Sequence, residues 1–349
     1  MRTRTRELVV SGYGAGTLAG LVWGLSFPVP LLLHGWNAVT VTAGRYLAYG
    51  LVSLALVLLG RRELRRIAVR HWRPALAFAV AGNVAYYLLL VLGIQLAGAP
   101  VTDVIIGTIP VTMAVAGNLL VPAYRWRTLA LPIALVIVGM VVINAGELSG
   151  DATAVPSSLT MRVLGIAAAF GAVVLWTWFG VANATFLNRH PDVSNRDWAT
   201  VTGLATGVVT LLALPLAAAT HQLGTVPGSG HRSSVAILVL GCAVLGVLVS
   251  WVAAILWNVA SARMSSTAAG MMINVETLSG FAYVYLVVLA WPSITQLIGL
   301  LLILADVAIV VRLGAGDLPV REEPYVPEHE APPGVALAAQ GIAAHDDPG

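Results

Sequence analysis

Long apolar blocks alternate with short polar segments along the chain as far as about residue 312. Each block has about the 20 apolar residues that one helix needs to cross the hydrocarbon core of a bilayer. The pattern therefore predicts an all-α integral membrane protein with ten transmembrane helices. The predicted spans are 10–33, 38–60, 75–97, 99–121, 128–146, 163–186, 198–219, 235–259, 266–290 and 293–312.

The composition supports a membrane protein and offers little for catalysis. Hydrophobic residues make up 58% of the 349 residues and charged residues 10%, whereas soluble domains carry about 25% charged residues. The chain has one cysteine, Cys242, and no lysine, and no two histidines have the spacing of a zinc protease. The sequence therefore predicts no enzyme activity, no catalytic residues, no metal site and no bound cofactor.

The arginines indicate how the chain is oriented. All 19 basic residues are arginines, and sixteen of them lie on one side of the ten-span arrangement. Arg162 and Arg232 lie on the other side, and Arg45 lies within a span. Because arginine concentrates in cytoplasmic loops, both termini are predicted to be cytoplasmic in a multi-pass cell-membrane protein. Since the arginines lie between apolar blocks, they do not indicate binding to nucleic acid. Five tryptophans fall near predicted membrane interfaces: Trp36, Trp72, Trp126, Trp198 and Trp291.

The two ends of the chain differ from the rest. Residues 1–9 are predicted to form a short cytoplasmic N-terminus. Residues 315–349 contain seven acidic residues and several prolines. Such a segment buries too little apolar surface to fold alone, so it is predicted to be a disordered cytoplasmic tail.

The two halves of the apolar region resemble each other. Similar stretches are 22–23 and 175–176, 86–97 and 251–262, and 131–142 and 298–309. Each half has five spans, and because five is odd, the second half enters the membrane from the opposite side. The sequence therefore predicts two inverted five-helix repeats, an arrangement that in many transporters places one site near the bilayer midplane.

With these features the chain resembles the drug/metabolite transporter superfamily, in particular its ten-span EamA type. The motifs that carry the resemblance are Trp23-Gly24 with Ser26-Phe27, Arg45, the stretch 98–111, Leu256-Trp257-Asn258, Val275-Glu276-Thr277 and the stretch 296–299. Thr277 stands where the family has a proline, and Asp306 stands where it has a glycine. The resemblance implies a first repeat at 10–150, a second at 160–314, a central cavity, and export of amino acids, related metabolites or drugs without a bound cofactor.

Glu276 is the principal candidate for proton or ion coupling. It lies about ten or more residues from either end of predicted span 266–290. A charge at the bilayer centre costs about 2.5–3.5 kcal/mol on insertion scales, so its presence needs a reason. One hypothesis is that it binds a proton or the amine of a solute in a polar cavity. The other is that it is a protonated or hydrogen-bonded structural residue between helices.

Other polar residues and one proline within the spans have weaker interpretations. Arg45 and Asp103 have similar predicted depths, which permits an ion pair that acts as a gate or a structural clamp; direct solute contact is the alternative. Asp306 is expected to reach the interface or a neighbouring polar group. Pro110 has two interpretations: it kinks its helix, or it frees backbone carbonyls toward a cavity.

Aromatic and amide side chains supply the candidate cavity lining. Six aromatic residues lie away from the predicted interfaces, namely Trp23, Tyr86, Tyr87, Trp176, Trp178 and Trp251. Such rings line pockets for flat or cationic solutes, or pack between helices. Four asparagines, Asn83, Asn183, Asn258 and Asn274, either bond across helices or face the cavity.

Three functions are consistent with this sequence. The leading one is a secondary transporter that exports a small organic solute, an amino acid or a related metabolite, by alternating access. A multidrug or cation exporter is the second, and a membrane-embedded enzyme or sensor is the third. The predicted partners are the solute and the lipid bilayer, and either a monomer or a homodimer suits the bundle.

Overall fold

The structure, a computed structural model, describes residues 2–149, 159–226, 232–289 and 291–316. Ten helical segments in these ranges are long and apolar enough to cross a membrane, which confirms the predicted fold class. They are named spans 1 to 10 and cover Ser11–Leu32, Ala38–Leu59, Trp72–Ala97, Val101–Leu120, Trp126–Asn144, Leu159–Arg189, Asn195–Ala219, Val235–Ser261, Ser266–Val288 and Ile294–Leu313.

The predicted ends of the spans agree closely with the observed ends. The largest difference is at span 6, predicted at 163–186, whose helix covers Leu159–Arg189. The first helix already begins at Arg2, and the last helix ends at Gly316. The predicted tail at 315–349 lies outside the described residues except for its first two, so its disorder stays a prediction.

The helices pair according to a pseudo-twofold relation between the two halves. Between individual helices, the five most extensive contacts join helices of spans 5 and 10, 3 and 6, 2 and 7, 1 and 8, and 4 and 9. If each span of the first half corresponds to the span five places later, the pair 3 and 6 maps onto the pair 8 and 1. The other three pairs map onto themselves. The contacts therefore follow the symmetry of two inverted five-helix repeats.

Glycines face each other where two of the self-symmetric pairs cross. An added Cβ on Gly50 of span 2 would lie 2.5 Å from the Cα of Gly207 of span 7. A Cβ on Gly299 of span 10 would lie 2.6 Å from the carbonyl oxygen of Gly139 of span 5. Small residues let two membrane helices approach backbone to backbone, so these crossings depend on having no side chain.

Spans 4 and 9 are both interrupted after their first two turns. In span 4, a helix at Ala99–Ile106 is followed by a second helix at Ile109–Leu120. In span 9, a helix at Ser266–Met272 is followed by a second helix at Asn274–Val288. Pro110 lies in the first turn of the second helix of span 4, where its missing N–H costs little. The two breaks occupy corresponding places in the two halves.

Spans 1, 3 and 8 also depart from a regular α-helix. In span 1 the first helix ends at Trp23, and a tighter turn at Gly24–Ser26 leads to a short helix at Pro28–Leu32. Spans 3 and 8 contain π-helical turns at Val80–Val84 and Leu245–Val252. These turns also correspond between the halves. Such turns are frequent at functional sites, and here they surround the middle of the bundle.

The arginine-rich loops lie on one face of the bundle, which is called the arginine-rich face. The loops between spans 2 and 3, 4 and 5, 6 and 7, and 8 and 9 contribute arginines to it. A short helix at Arg62–Arg70 precedes span 3, and its Leu64 and Ile67 are buried while its arginines are exposed.

An aromatic cluster packs just inside the arginine-rich face. The Trp198 ring stacks on Phe186 with centroids 3.9 Å apart, and it meets the edge of Phe78 at 5.7 Å. Trp198 is 0% exposed, and its Nε1 donates to Asn183 Oδ1 at 2.8 Å. Trp198 lies three residues after the start of span 7, and its indole is enclosed by spans 3, 6 and 7.

Lowering the pH is expected to destabilise the fold through His71, which lies directly before span 3. Its ring is 7% exposed and lies 4.9 Å from the ring of His190. Burial, followed by the positive charge of His190 and Arg70, lowers the pKa of His71 below its ordinary value. The unfolded chain thus takes up this proton at a higher pH than the folded chain, so stability falls as the pH drops through about 6.5.

The measurement is the melting temperature of detergent-purified protein at about pH 5.5 and about pH 7.5. We expect a lower value at the acidic pH and a smaller difference in His71→Gln. His34→Gln, at an exposed position, is the control. If His71→Gln shows the same difference as the unmodified protein, His71 is not responsible.

On the opposite face the two halves are joined by loop contacts. The backbone N–H of Asn37 donates to the carbonyl of Gly224 at 3.0 Å, and a single β-bridge joins Trp36 to Thr225. Trp36 Nε1 donates to the carbonyl of Ser233 at 3.1 Å. These contacts tie the start of span 2 to the connection between spans 7 and 8.

Candidate functional site

Glu276 lies in the middle of span 9, in the first turn after the break. It is ten residues from Ser266 and twelve from Val288, the ends of the span. Ser26 Oγ, in the interrupted part of span 1, lies 3.4 Å from Glu276 Oε1, which is near the upper limit for a hydrogen bond. Glu276 is half-buried whereas Val275 beside it is buried, so part of the Glu276 residue remains accessible.

Arg45 of span 2 supplies a positive charge near this carboxylate. Its Nε donates to Ser250 Oγ in the π-helical turn of span 8 at 2.8 Å, and its guanidinium lies 5.5 Å from the centroid of the Tyr46 ring. Arg45 is also within electrostatic reach of Glu276. Two opposite charges inside a helical bundle reduce each other's desolvation cost. The carboxylate of Glu276 and the guanidinium of Arg45 can therefore both lie at this depth.

Tyr86 of span 3 connects the two charged groups. Its hydroxyl is within electrostatic reach of both Glu276 and Arg45. Five side chains from spans 1, 2, 3, 8 and 9 thus converge, and they are called the polar centre: Ser26, Arg45, Tyr86, Ser250 and Glu276.

Three tryptophans from spans 1, 6 and 8 form an aromatic wall, called the tryptophan triad. The ring centroids of Trp23 and Trp257 are 5.2 Å apart, those of Trp176 and Trp257 6.3 Å, and those of Trp23 and Trp176 6.5 Å. Trp23 and Trp176 correspond in the two repeats, so they approach each other across the pseudo-twofold relation. Trp257 is 2% exposed, and its Nε1 has no hydrogen-bond partner among the described residues.

The tryptophan triad adjoins the polar centre. Tyr86 packs against the same apolar cluster as the three tryptophans, and Trp23 is followed three residues later by Ser26. A solute at this place would meet charged groups on one side and aromatic rings on the other.

The remaining predicted aromatic residues do not join the triad. Tyr87 donates its hydroxyl to the carbonyl of Ala38 at 3.1 Å. Trp251 Nε1 donates to Thr200 Oγ1 at 3.0 Å. Trp178 is 47% exposed and lies edge-on to Phe78, with centroids 5.6 Å apart. Trp178 also lines a largely apolar groove of about 680 Å³ between spans 4 and 6.

The four asparagines bond between helices. Asn83 Nδ2 donates to Thr206 Oγ1 at 3.0 Å, and Asn183 Nδ2 donates to Asn258 Oδ1 at 2.9 Å. Asn274 Nδ2 donates to a carboxylate oxygen of span 10 at 2.7 Å. In an apolar surrounding such bonds hold helices together, which matches the first of the two interpretations of these residues. Cavity contact by them stays a prediction.

Asp103 lies near the start of span 4, and it is exposed. Like Arg45, it is within electrostatic reach of Tyr86. An ion pair between Arg45 and Asp103 stays a prediction, whereas the bond from Arg45 to Ser250 is observed.

Four residues in or beside the site were not among the site residues predicted from the sequence. Ser26 and Trp257 stood within motifs of the family resemblance, and their place next to Glu276 and Trp23 gives them a role. Tyr46 and Ser250 had no signal of their own, because a tyrosine or serine in an apolar helix commonly bonds its own backbone.

The site combines charged, hydroxyl and indole side chains. Among the described residues, no group of three or more histidine, cysteine, aspartate and glutamate side chains is placed to hold a metal ion. One carboxylate, one guanidinium, hydroxyls and indoles suit reversible binding of a polar solute with an apolar part, and exchange of a proton at Glu276.

Comparisons with known proteins agree with this arrangement. Residues 10–145 match the EamA-like transporter family. The inner membrane protein YtfF of Escherichia coli (strain K12) is 36% identical over 312 residues, which cover 87% of this chain and 96% of YtfF. The crystal structure of another protein has the same fold, with a TM-score of 0.68 at 19% identity, over 87% of this chain and 98% of the other.

The relative extends the similarity through both halves, beyond the five spans that the family matches. The ten spans, their symmetric pairing and the motifs around Trp23 and Glu276 are consistent with it. The chain belongs to the EamA type of the drug/metabolite transporter superfamily.

Proposed function

We propose that this protein is a secondary transporter that exports a small organic solute, an amino acid or a related metabolite. The observation that carries the proposal is the polar centre at mid-depth, beside breaks in spans 1, 4 and 9. In many transporters, interrupted helices at the interface of inverted repeats form the substrate site near the midplane.

The polar centre matches the chemistry of an amino acid. Its ammonium group suits the Glu276 carboxylate, and its carboxylate suits the Arg45 guanidinium, which forms charge-assisted hydrogen bonds with such groups. The tryptophan triad then offers an apolar surface to the side chain or carbon skeleton of the solute.

Transport would proceed by alternating access to this one site. The two halves have similar contacts, so one packing of the bundle and its symmetry-related counterpart would expose the site to opposite sides in turn. The glycine crossings of spans 2 with 7 and 5 with 10 are shared by both arrangements. They would act as the fixed part of the bundle.

The arginine-rich face would be cytoplasmic, since positively charged loops remain on that side of a membrane. YtfF is an inner membrane protein, and the same location is proposed for this chain. The N-terminus and the end of span 10 lie on the arginine-rich face and would both be inside.

A cation or multidrug exporter is the second candidate. The observation that favours it is the tryptophan triad near Glu276, because aromatic faces attract cations and the carboxylate would balance their charge. Efflux of lipophilic cations without efflux of amino acids would decide for this candidate.

The test starts with metabolite profiling of medium from cells that overexpress the protein or lack its gene. The solute that accumulates outside is then used for flux measurements in liposomes. Truncating Trp176 to alanine is expected to weaken solute binding by about 2- to 30-fold, corresponding to the 0.5–2 kcal/mol of one aromatic contact with a cation.

Trp291→Ala is the matched control, because Trp291 is 93% exposed in the loop between spans 9 and 10. It removes an indole without touching the triad, so its apparent affinity is expected to stay unchanged. If both variants bind the solute as the unmodified protein does, the triad is not part of the site. If liposomes show no flux of any accumulated solute, the proposed function is wrong.

A further inference from the structure

A second carboxylate, Asp306 of span 10, is fully enclosed by the protein. It is 0% exposed and lies twelve residues after Ile294 and seven before Leu313, the ends of the span. With a rise of 1.5 Å per residue, it is about 18 Å from one end and about 10 Å from the other. Of the two alternatives expected for Asp306, the interface or a neighbouring polar group, the structure shows the second.

That neighbour is Asn274 of span 9. Asn274 Nδ2 donates to Asp306 Oδ2 at 2.7 Å. The other oxygen, Asp306 Oδ1, is buried and has no hydrogen-bond partner among the described residues. On the same helix, Ile303 and Val310 lie on either side of Asp306 at 0% and 3% exposure, so the surroundings are apolar.

Among the residues whose side chains the structure describes, few charged or titratable groups lie on the elements around span 10. They are Tyr13 on span 1, Arg127 on span 5, Glu276, Tyr283 and Tyr285 on span 9, and Arg312 on span 10 itself. Tyr13 interacts with Tyr124, and Glu276 with Ser26. Arg127 is exposed near the arginine-rich face. None of these groups forms a hydrogen bond or an ion pair with Asp306, so no described positive charge offsets an ionised carboxylate there.

We propose that Asp306 and Asn274 form a proton-binding site that is separate from Glu276. The proton is held on Oδ1, where an O–H bond forms and the carboxyl group loses its charge, while the Asn274 amide continues to donate to Oδ2. An isolated buried carboxylate costs many kcal/mol, and binding a proton removes that cost.

The site is placed where a proton would affect the shape of span 9. Asn274 is the first residue of the second helix of that span, directly after the break at Ile273, and Glu276 is two residues further on. When Asp306 loses its proton, the charge requires water or a cation, and spans 9 and 10 would have to separate to admit it. Proton occupancy of Asp306 is thereby linked to the position of Glu276.

Infrared spectroscopy of the purified full chain in liposomes tests the proposal without any transported solute. A protonated carboxyl group gives a carbonyl band that an ionised one lacks. We expect such a band at neutral pH, its retention in Glu276→Gln and its loss in Asp306→Asn. Because no solute is involved, this result is independent of the proposed transport function.

Three outcomes would overturn the proposal. The first is that Asp306→Asn has the same protonated-carboxyl bands as the unmodified protein. The second is that the band is lost in Glu276→Gln and kept in Asp306→Asn. The third is that the band appears only when sodium is removed, since Asp306 would then hold a metal cation instead of a proton.

A second measurement covers the case in which Asp306→Asn does not fold. The unmodified protein is labelled with ¹³C at the aspartate carboxyl carbon, which shifts aspartate bands and leaves glutamate bands in place. We expect the neutral-pH band to shift. An unshifted band shows that Asp306 is ionised and contradicts the proposal.

Discussion

Glu276→Gln is expected to abolish the acceleration of solute flux by a pH gradient, while the protein stays folded. Glutamine has nearly the same size as glutamate and keeps an oxygen for Ser26 Oγ, which lies 3.4 Å from Glu276 Oε1. It cannot bind or release a proton. Since Glu276 is at mid-depth and half-buried, the loss concerns coupling rather than packing.

The measurement is flux into liposomes with and without an imposed pH gradient. In the unmodified protein we expect the gradient to drive uphill accumulation, and in Glu276→Gln only downhill exchange. Glu63→Gln, at an exposed position on the arginine-rich face, is the control and should keep full coupling. Undiminished pH-driven accumulation by Glu276→Gln would show that Glu276 carries no coupling proton.

Gly50→Ala is expected to destabilise the crossing of spans 2 and 7. The new Cβ would lie 2.5 Å from the Cα of Gly207, and neither backbone can rotate out of the way. Overpacking of this kind typically costs about 1–3 kcal/mol. Because the contact is symmetric, with a Cβ on Gly207 lying 2.6 Å from the Cα of Gly50, Gly207→Ala should behave alike.

Gly14→Ala is the matched control for this crossing. Gly14 is also a helical glycine in a membrane span, and an added Cβ there meets nothing within 4 Å. Alanine is favoured over glycine in a helix by about 0.5–1 kcal/mol, so this variant should be as stable as the unmodified protein or more so. The test is thermal unfolding in detergent, and equal melting temperatures for Gly50→Ala and Gly14→Ala would contradict the backbone contact.

Much of the architecture follows from the sequence because the bilayer permits few solutions. In hydrocarbon every backbone N–H and C=O must be bonded within the span, so a long apolar segment has to be a helix. Spans, their number and their ends were therefore predictable from hydropathy. An odd number of spans per repeat then requires inversion, and the contact pattern of the ten spans agrees with it.

Parts of the site were predictable for the same reason. A carboxylate such as Glu276 in the middle of an apolar helix is costly and therefore noticeable. The match of Trp23 with Trp176 indicated that two rings would correspond in the halves. The sequence does not show that these two rings contact each other and Trp257 of span 8, because this depends on which helices pack together.

The sequence by itself determined the ten helices, their inverted order and the depth of Glu276, since these depend on local hydropathy and on counting crossings. Only the tertiary structure decided where helices break and which polar groups pair. The break at Ile273 has neither glycine nor proline to mark it, and Asn274 meets Asp306 from another span. The physical reason is that a helix break or a buried carboxyl group leaves hydrogen-bonding groups without a partner in their own helix. Neighbouring helices supply these partners, and the neighbours are distant in the chain.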